Sequence, residues 1–134
     1  MKSVLATFLL LFALSIADQS FALTATVSGT QVTLDYTEPS VNSDAAKTPL
    51  VDLAKTTAYY LFPGAAAKVA CGEKTASSPT GGQPRQILCL VPVSTGQEAD
   101  VKFTVTATDL SGNEGPESIP VIKRIDKLAP GAPQ

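Results

Sequence analysis

The sequence predicts an all-β domain, a seven-stranded antiparallel β-sandwich. Apolar and polar residues alternate strictly in several short segments, most clearly in VKFTVTAT at 101–108, and this period of two is typical of half-buried strands. Turns rich in Gly, Pro, Asn and Ser separate these segments. No stretch with a helical period of useful length follows the apolar start of the chain.

The N-terminal residues are typical of a secretory signal peptide, which predicts a signal helix before the domain. Lys2 precedes an apolar run over 4–17. Ser20-Phe21-Ala22 then places small residues at positions −3 and −1 of a cleavage site after Ala22. Cleavage after Ala17 is one alternative, and an uncleaved anchor helix that contacts the membrane is another. The predicted units are a signal peptide at 1–22, a domain at 23–127 and a Pro-rich tail at 128–134.

The charge balance and the lack of histidine exclude several classes of function. Lys plus Arg number 10 and Asp plus Glu 12, for a net charge of −2 without any His. This balance does not fit the basic stripe that nucleic-acid binding needs, and a Ser-His-Asp triad or a His-based zinc site cannot form. Asp52 has no second carboxylate at a catalytic spacing, so a capping or turn role is favoured. The sequence therefore predicts a protein that is not an enzyme and has no metal or cofactor.

The first two strands are predicted on either side of a tight turn. In LTATVSGTQVTLDY, apolar residues alternate with polar ones from Leu23 to the turn at Gly29, and again up to Tyr36. A loop rich in Pro, Ser, Asn and Asp follows this hairpin.

The third strand is predicted over residues 56–62, before the Pro63-Gly64 turn. The preceding LVDLAK can form a helical turn but is too short to hold one alone. Tyr59 and Tyr60 are adjacent, so in a strand one side chain enters the core and the other is exposed. The exposed tyrosine is a candidate contact for a sugar or a protein, because an exposed aromatic ring can anchor an interface.

The two cysteines, Cys71 and Cys89, are predicted to form a disulfide, because export brings them into an oxidising compartment. The alternative, a redox or metal pair, is disfavoured because the spacing is not CxxC and no His is present. Cys71 ends AAAKVAC, in which a short strand is favoured over a helix, and Cys89 lies in the strand RQILCLVPV. Residues 72–84 between them are predicted to be an open loop, either a binding loop or a flexible connection.

The last two strands are predicted at 101–108 and at 118–125. One face of that strand packs on the opposite sheet, and we expect its threonine face to meet solvent or a neighbour's surface. Asp109 and Glu114 in the next turn are a candidate Ca²⁺ site, although a turn in which Asp and Asn satisfy local backbone groups is favoured. Pro120 predicts that the final strand, at 118–125, lies at a sheet edge, because proline cannot donate to a central ladder.

Three segments resemble the fibronectin type III family, which has an immunoglobulin-like β-sandwich fold. VTLDYTEPSVNSD resembles the second strand with its loop, TPLVDLAKTTAYY the third strand, and FTVTATDLSGNEGPES the sixth strand with the turn into the seventh. LAPGAPQ resembles the linkers that join such domains. Where the family has Trp in the second strand and Tyr in the sixth, this chain has Tyr36 and Phe103, so the tyrosine-corner hydrogen bond cannot form. The chain also has no Arg-Gly-Asp.

The resemblance implies a fold more than a function, because this fold hosts many binding roles. We expect a non-catalytic module, secreted, periplasmic or at the cell surface, that mediates protein or glycan contacts. One alternative is a subunit of an extracellular assembly, joined through the edge strand at 118–125 or through the Pro-rich tail. Another is an accessory domain of a secreted hydrolase system.

Overall fold

The computed structural model describes residues 23–134, and this part of the chain is an all-β sandwich without a helix. The predicted fold class is confirmed, whereas the predicted signal helix lies outside the described residues. The strands are β1 (Thr24–Ser28), β2 (Gln31–Thr37), β3 (Leu53–Leu61), β4 (Val69–Thr75), β5 (Pro84–Leu90), β6 (Glu98–Asp109) and β7 (Val121–Asp126).

The strands form two antiparallel sheets. One sheet has three strands in the order β1-β2-β5, and the other has four in the order β4-β3-β6-β7. Because β4 pairs with β3 and not with β5, the arrangement differs from the constant-type immunoglobulin domain, in which the fourth strand belongs to the first sheet.

The β1–β2 hairpin forms as the sequence predicts. Gly29 has a φ of 61°, a left-handed conformation that glycine adopts without a steric penalty, and it turns the chain so that Ala25 pairs with Leu34. Both of these side chains are buried. The alternation therefore places one face of the hairpin in the core and leaves the threonine face outside.

The longest strand, β6, supplies the centre of the core. It lies between β3 and β7, and Val101, Phe103 and Val105 point from it into the sandwich, where Phe103 is fully buried. Burying a side chain of this kind stabilises the fold by roughly 1.5–3 kcal/mol. The opposite sheet contributes the buried side chains Val32, Leu34, Tyr36, Ile87 and Cys89.

A disulfide joins the two sheets along one open side. Cys71 of β4 and Cys89 of β5 are bonded, as predicted, with their Cα atoms 4.9 Å apart. Gly72 permits this close approach, because a Cβ atom there would lie 2.8 Å from the Leu88 carbonyl oxygen and against the Ile87 side chain. The disulfide therefore links the two edge strands covalently, and the absence of a side chain at Gly72 lets them approach closely.

Several predicted boundaries differ from the structure. Residues 72–75, predicted to be part of an open loop, belong to β4 because they pair with β3. The helical turn considered for LVDLAK does not form, since Leu53 already begins β3. The last strand begins at Val121, after Pro120, and does lie at an edge of its sheet. Within residues 23–134, no helix is long and apolar enough to span a membrane.

The connections at the two ends of the sandwich differ in length. Residues 38–52, 76–83 and 110–120 connect strands at one end, which we call the loop end. The C-terminal segment leaves from the opposite end, where the Lys127 amide donates to the Gln97 carbonyl.

Candidate functional site

Backbone hydrogen bonds tie the three segments of the loop end to one another and to the strands. The Leu110 amide donates to the Asp52 carbonyl at 2.8 Å, and the Leu53 amide donates to the Pro79 carbonyl at 2.9 Å. The loop end is therefore one connected surface and not three independent loops.

Segment 38–52 contains a small internal hairpin. Val41 and Pro49 form an isolated antiparallel bridge, and the Asp44 carboxylate accepts hydrogen bonds from the Thr48 amide at 3.0 Å and the Thr48 hydroxyl at 2.9 Å. Asp and Asn commonly stabilise turns in this way. Lys47, within this turn, has a φ of 50°, and a non-glycine residue keeps such a conformation only where its surroundings enforce it.

Segment 110–120 is held in the same manner. The Asn113 amide and side-chain nitrogen both donate to Asp109, each at 2.9 Å, and the Gly115 amide donates to the Ala107 carbonyl. These bonds agree with the favoured turn, in which Asp109 and Asn113 satisfy each other. Within residues 23–134, no group of three or more Cys, Asp or Glu residues is arranged to hold a metal ion.

Segment 76–83 is anchored on a buried carboxylate. The Glu38 side chain has no solvent exposure, and it accepts hydrogen bonds from the amide and the hydroxyl of Ser77. The Arg85 guanidinium lies 3.6 Å from the same carboxylate and donates to the Thr75 carbonyl at 2.9 Å. A buried charge needs such partners to offset the loss of its hydration, so this segment is more firmly held than the predicted open loop.

A cleft of about 370 Å³ lies between segments 38–52 and 110–120. Its volume falls within the range of small ligand sites, roughly 300–1,000 Å³. Leu50 and Leu53 form its buried apolar part, while Lys47, Asp109 and Glu114 also line it. The cleft thus combines an apolar interior with charged groups.

Exposed apolar side chains lie in the same two segments. Val51 is 69% exposed, Leu110 is 72% exposed, and Val41, which also lines the cleft, is partly exposed. The hydrogen bond between Leu110 and Asp52 places two of these apolar side chains on neighbouring stretches of chain. Val51 directly follows Leu50 and Leu110 directly follows Asp109, so both exposed side chains lie next to residues that line the cleft.

The predicted tyrosine pair is split between core and surface. Tyr60 is buried and packs edge-on against Phe62, with ring centroids 5.4 Å apart. Tyr59 lies on the outer face of β3, where the Lys68 ammonium sits 4.1 Å from its ring centroid. Its hydroxyl donates to Glu114 at 2.5 Å. The opposite orientations are confirmed, and the role of either tyrosine in ligand contact stays a prediction.

Glu114 links the outer face of the sheet to the cleft. Besides Tyr59, the Thr106 hydroxyl donates to its carboxylate at 2.6 Å. The bonds from Thr106 and then Tyr59 lower the pKa of Glu114, while the bond to Glu114, followed by burial, raises the pKa of Tyr59. The Asn113 side chain and then its backbone lower the pKa of Asp109. Both carboxyl groups of the cleft are therefore ionised at neutral pH.

Of the two surroundings expected for the threonine face of β6, solvent is wrong, because neighbouring residues cover this face. Thr104, Thr106 and Thr108 retain at most 9% of their exposure, and Thr106 only 2%. The reason is tertiary: Tyr59 from β3 and Glu114 from the following segment extend over this face and hydrogen-bond there. The small side chains in the middle of the sheet are covered by larger neighbours.

The two carboxyl groups that line the cleft, those of Asp109 and Glu114, both have pKa values below their ordinary ones. Asp52, whose capping or turn role was favoured, accepts the Leu110 amide through its backbone carbonyl.

Comparison with known proteins finds no match among family models, curated proteins or solved structures. The arguments about this site therefore rest on its own residues.

Sequence reasoning missed most of the cleft. Leu50 and Leu53 carry a signal in the sequence, because they are apolar residues just before β3 and at its first position, where an exposed loop would be polar. Nothing local in the sequence marks Glu38 as buried or Lys47 as left-handed. Both properties depend on contacts with the rest of the fold.

Proposed function

We propose that this protein is a non-catalytic binding module of the fibronectin type III kind, and that it contacts a protein partner through the loop end. The observation that carries this proposal is the cleft between 38–52 and 110–120, with exposed Val51 and Leu110 beside it. Loops on a rigid scaffold commonly carry binding. The division into sheets of three and four strands supports the family assignment.

The firmly held loops favour binding at this end. The turns at Asp44 and Asp109 and the anchor at Glu38 fix the backbone before any partner arrives. A surface that is already ordered loses less conformational entropy on association. Backbone order therefore contributes to affinity even though the apolar groups are few.

A protein partner fits these features better than a glycan. A sugar would need a free aromatic face, and Lys68 already covers one face of the Tyr59 ring. Tyr60 is buried and offers no surface. Strand addition at β7 is also disfavoured, because Pro120 precedes the strand and Arg124 on it pairs with Asp100 at 2.9 Å, and charge and proline protect sheet edges.

The proposed location is outside the cytoplasm, with the signal peptide removed after Ala22. The disulfide between Cys71 and Cys89 is consistent with an oxidising compartment. The apolar run at 4–17 supplies the export signal. A partner is therefore to be sought among envelope, surface or secreted proteins.

The test begins with the exported protein, immobilised and exposed to envelope and medium fractions of its source. Any retained protein is purified, and its affinity is measured for the unchanged protein, for a Val51→Asp/Leu110→Asp variant and for a Leu128→Asp control. Leu128 is 57% exposed and lies beyond the opposite end. We expect at least a tenfold loss for the double variant and no change for the control. Equal binding by all three, or no retained protein, would overturn the proposal.

A further inference from the structure

Two acidic side chains, Asp109 and Glu114, and one basic side chain line the cleft at the loop end. Residues 23–134 contain five ion-pair contacts, and none of them involves Asp109 or Glu114. The loop-end acids that are paired are Glu38, with Arg85, and Glu117, with Lys68. The only cation lining the cleft is Lys47.

Two lysines, Lys68 and Lys55, attract the Glu114 carboxylate, but neither forms an ion pair with it, because each is paired with another carboxylate. Lys55 lies 2.7 Å from Glu73, and Lys68 lies 2.6 Å from Glu117. The Glu114 carboxylate is held by two neutral hydroxyl groups, those of Tyr59 and Thr106. These bonds stabilise and orient its charge without cancelling it, and Glu114 is one of the residues that line the cleft.

Asp109 is in a similar position on the same wall. Its two oxygens accept hydrogen bonds from the amide and side chain of Asn113, which are neutral donors. Asp109 and Glu114 therefore present two oriented negative charges beside the apolar side chains of Leu50 and Leu53. A ligand that complements this wall carries a positive charge next to an apolar group.

We propose that the loop-end cleft binds a peptide segment of a protein partner in which a Lys or Arg is adjacent to a large aliphatic residue. The aliphatic side chain enters the cleft against Leu50 and Leu53, and the cation lies against Asp109 and Glu114. This inference rests on the proposed function and names the chemistry of the partner. The acidic rim favours a basic segment and repels an acidic one, which gives selectivity as well as attraction.

The probes are one blocked pentapeptide and two variants of it, each with a single substitution. They are acetyl-Gly-Lys-Leu-Pro-Gly-amide, the same peptide with Glu in place of Lys, and the same peptide with Ser in place of Leu. Each is titrated up to millimolar concentration into the exported, disulfide-bonded protein labelled with ¹⁵N, and backbone amide shifts are recorded. We expect the Lys-Leu peptide to shift amides in 38–52 and 110–120. The other two peptides should bind at least fivefold more weakly.

Two variants that each lose one negative charge test whether the Glu114 carboxylate contributes to peptide binding. Glu114→Gln keeps the side-chain shape, and we expect it to weaken the Lys-Leu peptide by two- to fivefold and to reduce the effect of added salt. Asp35→Asn removes one charge from the outer face of the three-stranded sheet, where Asp35 accepts a hydrogen bond from Gln86. It should leave peptide affinity unchanged. Unchanged amide shifts far from each substitution show that both variants remain folded.

The remaining outcomes separate this inference from the proposed function. If the Glu-Leu peptide binds as well as the Lys-Leu peptide, or if no peptide shifts the loop-end amides, the inference is overturned. The proposed function survives that result if a captured partner still depends on Val51 and Leu110. If the peptides bind elsewhere, and the captured partner binds the Val51→Asp/Leu110→Asp and Glu114→Gln variants as tightly as the unchanged protein, the inference and the proposed function are both overturned.

Discussion

Removal of the Cys71–Cys89 disulfide is expected to cost about 3 kcal/mol of unfolding free energy. The two cysteines are 18 residues apart. In the chain-entropy model, closing a loop of this length raises the free energy of the unfolded chain by about 3 kcal/mol, because the loop lowers its conformational entropy. The two strands that carry them belong to different sheets, so hydrogen bonds of a single sheet do not replace the link. Cys89 is fully buried, so substituting it also removes core volume.

The measurement is urea unfolding followed by far-UV circular dichroism, on three samples. These are the oxidised protein, the same protein reduced with a phosphine, and a Cys71→Ala/Cys89→Ala variant. With an m-value of about 1–3 kcal/mol/M, the midpoint should fall by roughly 1–3 M on reduction. The Ala variant should be less stable still, by about 1 kcal/mol or more, because it also loses buried side-chain atoms.

The reduced sample separates the bond from the packing. A loss below about 1 kcal/mol on reduction would refute the loop-entropy argument and would mean that the unfolded chain already keeps these segments close. A large loss in the Ala variant alone would assign the stability to core packing around Cys89.

Three further predictions concern single side chains. Tyr59 should titrate above its ordinary pKa, and Glu114→Gln should lower that pKa toward 10.0; ultraviolet titration checks this. The raised pKa of Tyr59 stabilises the folded state below the ordinary pKa of tyrosine, and this stability is lost as the pH rises through the pKa of Tyr59 in the folded protein. The lowered pKa of Glu114 stabilises the folded state above its ordinary pKa of 4.5, and this stability is lost as the pH falls through the pKa of Glu114 in the folded protein. Thr106→Val keeps the shape but removes a hydrogen bond to Glu114, so we expect a loss of about 1 kcal/mol in urea unfolding; an unchanged midpoint would contradict this. Gly72→Ala forces a Cβ atom against β5 and should cost roughly 1–3 kcal/mol, while Gly131→Ala, with open space around it, should be neutral in the same assay.

The local pattern of the sequence was enough to predict most strands. Alternation identified β1, β2 and β6, and the turn at Gly29 was readable because a left-handed residue there favours glycine. Pro120 indicated an edge because it lacks an amide donor, and β7 does lie at an edge. The disulfide followed from the expected compartment and from the poor fit of the alternatives.

The same local pattern could not decide which surfaces distant residues cover. Thr106 alternates as a solvent-facing residue would, yet Glu114 and Tyr59 bury it. Residues 72–75 have a loop-like composition, yet pairing with β3 extends β4 through them. Periodicity reports which residues share a face, and it does not report what lies opposite that face.

By itself, the sequence determined the β-sandwich fold class, because alternation is a short-range property, and it indicated one disulfide from residue type and the expected compartment. Only the tertiary structure decided that Tyr60 enters the core and Tyr59 binds Glu114, a residue 55 positions away. It also decided that 38–52 and 110–120 meet around a cleft with an acidic wall. The physical reason is that this cleft lies between segments remote in sequence, and no local period encodes which segments the sheet pairing brings together.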